Sequence, residues 1–194
     1  MGKPVRKIVA STYATLDGFI DNPHLWSLQY GTEEYLAYAY NLLFSSDALL
    51  MGRVTYDGFA QAWPAMGGND YADRMNGLPK YVVSSTLEKA DEWNNSTVIA
   101  GDDLVGAVTE LKQQPGQDIL MFGCGRLTDA LMEHGLLDEY RIWVHPVVRG
   151  EGQRLFREGA EATLELLDTT TFSSGVIVLT YRPVAAAEGG TAAG

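Results

Sequence analysis

Short, wholly apolar runs separated by segments of helical periodicity constrain this chain more than any other feature. Ile8-Val9-Ala10, Ala48 to Met51, Tyr81 to Val83 and Val98 to Ala100 each offer apolar side chains at consecutive positions, and so does Asp118 to Phe122 after its first residue. A strand of that kind buries both faces, as in a parallel sheet covered by helices on either side. The last part of the chain changes character. Glu139 to Val148, Thr163 to Thr171 and Val176 to Arg182 read as strands with no helix between them, and Ser173-Ser174-Gly175 is a hairpin turn. The pattern predicts an α/β domain of three αβα layers, with a mostly parallel central sheet and an antiparallel C-terminal hairpin.

The connecting segments carry helix signals. Thr32 caps a helix running to Phe44, Glu33 and Glu34 suit its positive end, and Leu36, Tyr40 and Leu43 form its expected apolar stripe. A second helix starts at Arg53, directly after Gly52, and runs to Ala60. Gly67 to Gly77 is read as a loop with room for a short helix. Asp102 or Asp103 caps a helix with Leu104, Val108 and Leu111 inward, and Arg126 to His134 is the last helix. A single domain over residues 1–182 is expected, with 183–194 as a disordered tail.

Composition excludes several classes. With 14 Lys+Arg against 25 Asp+Glu the net charge is −11, and no basic cluster offers the footprint a duplex needs. No run approaches the ~20 apolar residues of a membrane span, and the N-terminus lacks a secretory pattern. One cysteine, Cys124, leaves no internal disulfide and fits a reducing, cytoplasmic setting. The three histidines, His24, His134 and His145, show no metal-ligand spacing, so no metal is expected.

Ligands in open α/β sheets gather at the carboxyl ends of parallel strands, and three such ends carry small or hydroxyl residues. Met51-Gly52-Arg53-Val54-Thr55 places a glycine and then free N–H groups of a helix start where phosphate binds, unless it is only a tight turn with a surface arginine. Ser84-Ser85-Thr86 offers three hydroxyls, for a phosphate or for capping the next segment. Gly123-Cys124-Gly125-Arg126 is a G-x-G turn before a helix, with Thr128 where a Rossmann motif has its third glycine. Cys124 there is either a buried filler or a nucleophile without a neighbouring base. Together the three ends suit an extended dinucleotide. His145, before Pro146, either faces that edge or is a satisfied structural histidine.

These residues, in this order, resemble the dihydrofolate reductase superfamily. The carriers are Leu16-Asp17-Gly18-Phe19-Ile20, Leu49 to Tyr56 (L-L-M-G-R-V-T-Y), Val82 to Leu87 (V-V-S-S-T-L), Phe122 to Leu127 (F-G-C-G-R-L) and Trp143 to Gly152. The likeness covers about residues 5–182 and is closer to the branch holding the reductase domain of bacterial riboflavin biosynthesis. It implies NADPH as cofactor. Gly52, Arg53 and Thr55 would bind its phosphates, Ser84, Ser85 and Thr86 would lie near the adenosine 2′-phosphate, and Gly123, Cys124, Gly125, Arg126 and Leu127 would lie at the pyrophosphate. Tyr13 to Ile20 would be the strand end and mobile loop beside the nicotinamide.

The resemblance has two departures. The carboxylate that dihydrofolate reductases carry on the first helix falls at about Leu36, with Glu33 and Glu34 a turn earlier, so dihydrofolate is a poor substrate. The zinc-deaminase motifs H-x-E and P-C-x-x-C are absent, so a free-standing reductase domain is expected. The expected function is NADPH-dependent hydride transfer to a small heterocyclic, imine or carbonyl substrate, similar to 5-amino-6-(5-phosphoribosylamino)uracil reductase. A dihydrofolate reductase and a non-catalytic NADPH- or ligand-binding dimeric module are the alternatives. Asp17 is the candidate for proton transfer, with a turn-stabilising role as its alternative. Trp26, Tyr56 and His145 are the candidate substrate-binding residues. Apolar residues on both faces of the late strands (Ile142, Val144, Val147, Val176, Ile177, Val178, Leu179) predict a homodimer.

Overall fold

The computed structural model describes residues 5–184. Eight strands form one sheet in the order β4-β3-β2-β5-β1-β6-β8-β7. They are β1 (Ile8–Thr15), β2 (Ser46–Gly52), β3 (Lys80–Ser84), β4 (Ser96–Ala100), β5 (Asp118–Phe122), β6 (Glu139–His145), β7 (Thr163–Thr171) and β8 (Ile177–Val184). The first six are mutually parallel. β8 pairs antiparallel with β6, and β7 pairs antiparallel with β8. This is the expected sheet. Pro183 and Val184 belong to β8, so the strand runs two residues past the expected boundary, and the rest of the expected tail lies outside the described residues.

Helices α1 (Glu33–Phe44), α2 (Arg53–Ala62), α3 (Asp70–Gly77), α4 (Leu104–Gln113) and α5 (Arg126–Glu133) cover the sheet. One core joins Leu43 of α1, Tyr56 of α2 and Met75 of α3 to Val9, Leu49, Met51, Val82 and Leu120 of the strands. The other joins Val108 of α4 and Leu131 of α5 to Ile8, Ala10, Ala48, Leu50, Ile119 and Met121. Consecutive strand residues thus bury into opposite cores, which is why the strands read as unbroken apolar runs.

From β1 the chain winds one way through β2, β3 and β4, with α1 to α3 on one face. It then returns through α4 to β5, between β2 and β1, and winds the other way through α5 to β6. Right-handed crossovers force the change of direction to change the face. The connections after β1 and β5 therefore leave the sheet on opposite sides, opening a crevice at their carboxyl ends.

Two expectations about the helices are corrected. The buried residues of α1 are Tyr35, Leu42 and Leu43. Leu36 is 58% exposed and Tyr40 stacks outside on Phe44, their rings 4.0 Å apart. The Thr32 cap stands, its hydroxyl accepting from Tyr35 N at 3.4 Å. The short helix in the 67–77 region is α3, capped by Asn69, whose Oδ1 accepts from Ala72 N at 2.9 Å.

Candidate functional site

The three strand ends lie side by side. β3, β2 and β5 are consecutive in a parallel sheet, so Ser84-Ser85-Thr86, Gly52 to Thr55 and Gly123 to Arg126 share one edge, and Tyr13 to Thr15 of β1 continue it. Gly52 is extended at φ −83° and opens α2 as its N-cap. A Cβ at Gly52 or at Gly125 would meet nothing within 4 Å. Gly123 has φ +78°, the left-handed region that glycine adopts freely, and a Cβ there would lie 4.0 Å from Thr55 Oγ1. The first two turns are bridged. Arg53 Nη1 donates to Thr86 Oγ1 at 3.3 Å, while its Nε is held by Asp57 at 3.1 Å. A mostly apolar cavity of about 420 Å³ opens beside the end of β1, lined by Ala14, Thr15, Leu16 and Gly18 among others, and one of about 610 Å³ opens at the end of β3, lined by Ser84, Ser85, Thr86, Glu88, Gly101 and Asp102 among others.

The hydroxyls divide their work. Ser84 Oγ accepts from Thr86 N at 3.2 Å and Leu87 N at 3.0 Å, so it shapes the turn. Ser85 and Thr86 are exposed. The thiol of Cys124 turns inward beside Thr12, Thr128 and Tyr140, and burial pushes it up to about 12. That thiol is no nucleophile at neutral pH, and Cys124 offers a ligand its backbone alone. Arg126 is exposed, whereas Leu127 packs into the core beneath α5.

Asp17 is a clamp. Its carboxylate accepts from Thr15 Oγ1 at 2.6 Å, from Gly150 N at 2.7 Å and from Arg149 N at 3.1 Å. The Thr15 hydroxyl first, then the Gly150 and Arg149 amides, hold it below the usual carboxylate range. Asp21 repeats the device, accepting from Gln153 N at 2.8 Å. Backbone bonds complete the ladder: Leu16 N to Val147 O, Leu155 N to Gly18 O and Ile20 N to Gln153 O. The segment expected as a mobile loop is therefore stitched along its length to residues 147–155.

The three candidate substrate residues separate. Tyr56 is buried in the core under α2, and its hydroxyl accepts from Glu92 N at 3.1 Å and Trp93 N at 3.2 Å. That hydroxyl caps a loop away from the crevice. His145 and Trp26 do meet, their rings 5.1 Å apart and edge-on. His145 ends β6, is fully buried, and lies 5.1 Å from the Tyr13 ring and 5.7 Å from the Tyr30 ring. Its Nδ1 is 2.9 Å from Trp143 O and its Nε2 3.4 Å from the Tyr35 hydroxyl. The carbonyl fixes the hydrogen on Nδ1, leaving Nε2 as the acceptor. Burial lowers the His145 pKa, keeping the ring neutral.

Sequence reasoning missed Tyr35 and Tyr71. Burial raises the pKa of Tyr13, Tyr35 and Tyr71, which interact with one another at the end of β1, so all three stay protonated. Only Tyr35 had a local signal, since Thr32 as N-cap fixes which side chains enter the first turn.

A family model described as the RibD C-terminal domain matches residues 6–178. The chain belongs to the RibD C-terminal domain family. Among curated relatives, uncharacterized protein YyaP of Bacillus subtilis (strain 168) is 31% identical over 187 residues, covering 91% of this chain and 95% of that protein. YwjB of the same organism, also uncharacterized, is 29% identical over 175 residues, 88% and 95% of the two chains. Among solved structures, a putative riboflavin biosynthesis protein from Shewanella sp. PV-4 superposes with a TM-score of 0.68 at 19% identity, covering 92% of this chain and 99% of that one. A Thermotoga maritima diaminohydroxyphosphoribosylaminopyrimidine deaminase/5-amino-6-(5-phosphoribosylamino)uracil reductase gives 0.63 at 14% identity, over 93% of this chain and 57% of that one. RibD C-terminal domains and this chain share the dihydrofolate reductase-like fold.

Proposed function

We propose that this protein is an NADPH-dependent reductase of the type found in riboflavin biosynthesis, acting on a small heterocyclic, imine or carbonyl substrate. One observation carries the reading. Three turns rich in glycine and hydroxyls stand on adjacent parallel strands along one sheet edge, two of them joined by Arg53. Their spacing suits the diphosphate-linked halves of a dinucleotide, and the open space over Gly52 and Gly125 suits close approach of phosphate to backbone. Membership of the RibD C-terminal domain family supports the same chemistry, and the Thermotoga maritima structure named a deaminase/reductase shares the fold.

NADPH, when bound, supplies the hydride. The chain's own residues then have separate tasks. The N–H groups opening α2, with Thr55, hold phosphate, and Arg53 with Ser85 and Thr86 offers donors to a 2′-phosphate. Gly123, Cys124, Gly125 and Arg126 line the pyrophosphate turn through their backbone. The clamped 16–21 segment and the rings around His145 shield the end of β1 from water. Asp17, ionised and fully engaged, holds that segment in place. The carboxylate position of the dihydrofolate reductases falls at about Leu36 on the first helix, so dihydrofolate is disfavoured.

The test is loss of NADPH absorbance with candidate heterocycles. Substrate-dependent consumption supports the reading. Tight NADPH binding with no consumption against any of them would favour the non-catalytic module.

A further inference from the structure

The cavity at the end of β3 reaches across to the turn after β4, the neighbouring parallel strand. Its volume of about 610 Å³ and the apolar walls given by Leu87 and Val98 suit a planar ring with its sugar. The polar rim has two halves. Ser85 and Thr86 come from the turn after β3, and Asp102 comes from the turn after β4. The two turns touch. A Cβ on Gly101 would overlap the Ser85 hydroxyl, so the bare backbone of Gly101 lets that hydroxyl lie against the β4 turn. The contact brings Asp102, the next residue, to the same rim as Ser85.

The charge of this rim is not that of a phosphate pocket. Glu88 and Asp102 line the cavity and are exposed, and none of its walls is a cation. Lys89, beside Glu88, is not one of the walls. Arg53 reaches the cavity through Thr86 Oγ1, 3.3 Å from its Nη1, while Asp57 holds its Nε at 3.1 Å. Arg53 and Asp57 offset one another at a distance, which leaves the field of the two carboxylates. A phosphate monoester carries roughly two negative charges at neutral pH, and Glu88 and Asp102 repel it. A ribose hydroxyl instead offers those carboxylates a hydrogen to accept.

We propose that Asp102 and Glu88 are specificity-determining residues of the cofactor site: they offset the attraction of Arg53 for a 2′-phosphate and accept from the ribose hydroxyls, so the protein binds NADH nearly as well as NADPH. The inference rests on the dinucleotide reading of the site and concerns which dinucleotide it takes.

The experiment titrates NADPH and NADH separately into the whole protein, by fluorescence quenching, at low and at high NaCl. In the wild type the two dissociation constants should lie within about tenfold of each other. Raising the salt screens the carboxylates and should move the ratio toward NADPH, whereas a cationic pocket would move it the other way. Asp102→Asn and Glu88→Gln keep the side-chain shape and remove the charge. Each should tighten NADPH by about three- to tenfold without tightening NADH. If one variant misfolds, the other and the wild-type salt series still decide. A larger preference for NADPH in the wild type, a ratio that falls with salt, or charge removals that leave the ratio unchanged would each overturn the proposal while leaving the dinucleotide reading intact. Failure of the wild type to bind either cofactor would instead count against that underlying reading.

Discussion

Gly152 and Gly150 form a matched pair on the segment that clamps the site. Both have positive φ, +128° at Gly152 and +78° at Gly150. A Cβ at Gly150 would meet nothing within 4 Å, whereas at Gly152 it would overlap the Asp21 carboxylate, with Cγ at 2.8 Å and Oδ2 at 2.9 Å. Gly150→Ala therefore carries only the left-handed backbone cost, about 1–2 kcal/mol. Gly152→Ala carries a backbone cost of about 1–3 kcal/mol. It must also displace Asp21, losing the bond from Gln153 N at 2.8 Å, a further ~1 kcal/mol. The expected destabilisation is about 2–4 kcal/mol, limited above by the free energy with which the clamp opens on its own. Urea denaturation of both variants measures the difference, and amide exchange at Phe19 and Ile20 locates it, since those N–H groups bond to Thr15 Oγ1 and Gln153 O. If Gly152→Ala costs no more than Gly150→Ala, and the two amides stay protected, the two-aspartate clamp does not hold this segment.

Arg53→Ala should weaken NADPH by about ten- to a hundredfold and NADH by far less, because a charge-assisted contact contributes ~1.5–3 kcal/mol; fluorescence quenching titrations that show equal losses would remove Arg53 from the 2′-phosphate. Lys80 is fully buried, its ammonium bonded to Asn76 O, Leu78 O and Asn94 O and lying 4.3 Å over the Trp93 ring. Burial lowers its pKa to about 8, from 10.5 in the unfolded chain, so between those values the unfolded chain binds more protons and stability rises with pH. The stability difference between wild type and Lys80→Met should accordingly grow from pH 8 to pH 10, and a flat difference would contradict this. The late strands lead to a proposal of dimerisation. Val176 and Val178 are taken up by the α1-side core, but Ile142, Val144, Leu164, Leu179 and Tyr181 line an apolar cleft on the other face, with Leu155, Phe156 and Ala162 at its side. Light scattering should return twice the 21.2 kDa monomer mass, and a monomer at micromolar concentration would refute it.

The sheet and the three turns were legible because their signals are local. Asp118–Phe122 and Thr163–Thr171 have the bounds that their apolar runs and turn residues indicate, and a glycine after a buried strand marks a tight turn wherever that strand lies. The face of α1 was not legible, because Tyr35, Leu36, Tyr38, Tyr40, Leu42, Leu43 and Phe44 surround the helix with apolar surface and periodicity cannot choose a side. Only packing against Trp143 and Phe172 selects Tyr35. Tyr56 was misplaced for a related reason: its motif is a glycine turn at a strand end, but its hydroxyl serves a loop 36 residues away. The Asp17 and Asp21 clamp, and the rings around His145, join residues more than a hundred positions apart, which no local pattern records.

The central claim is that a dinucleotide lies along the ends of β3, β2, β5 and β1. Titrating NADPH into isotope-labelled protein, and following the backbone amide resonances, tests it most directly. Saturable shifts should concentrate at Gly52 to Thr55, Ser85 to Thr86 and Gly123 to Arg126, with smaller ones at Tyr13 to Thr15. Shifts confined to β7 and β8, or none that saturate, would contradict the account.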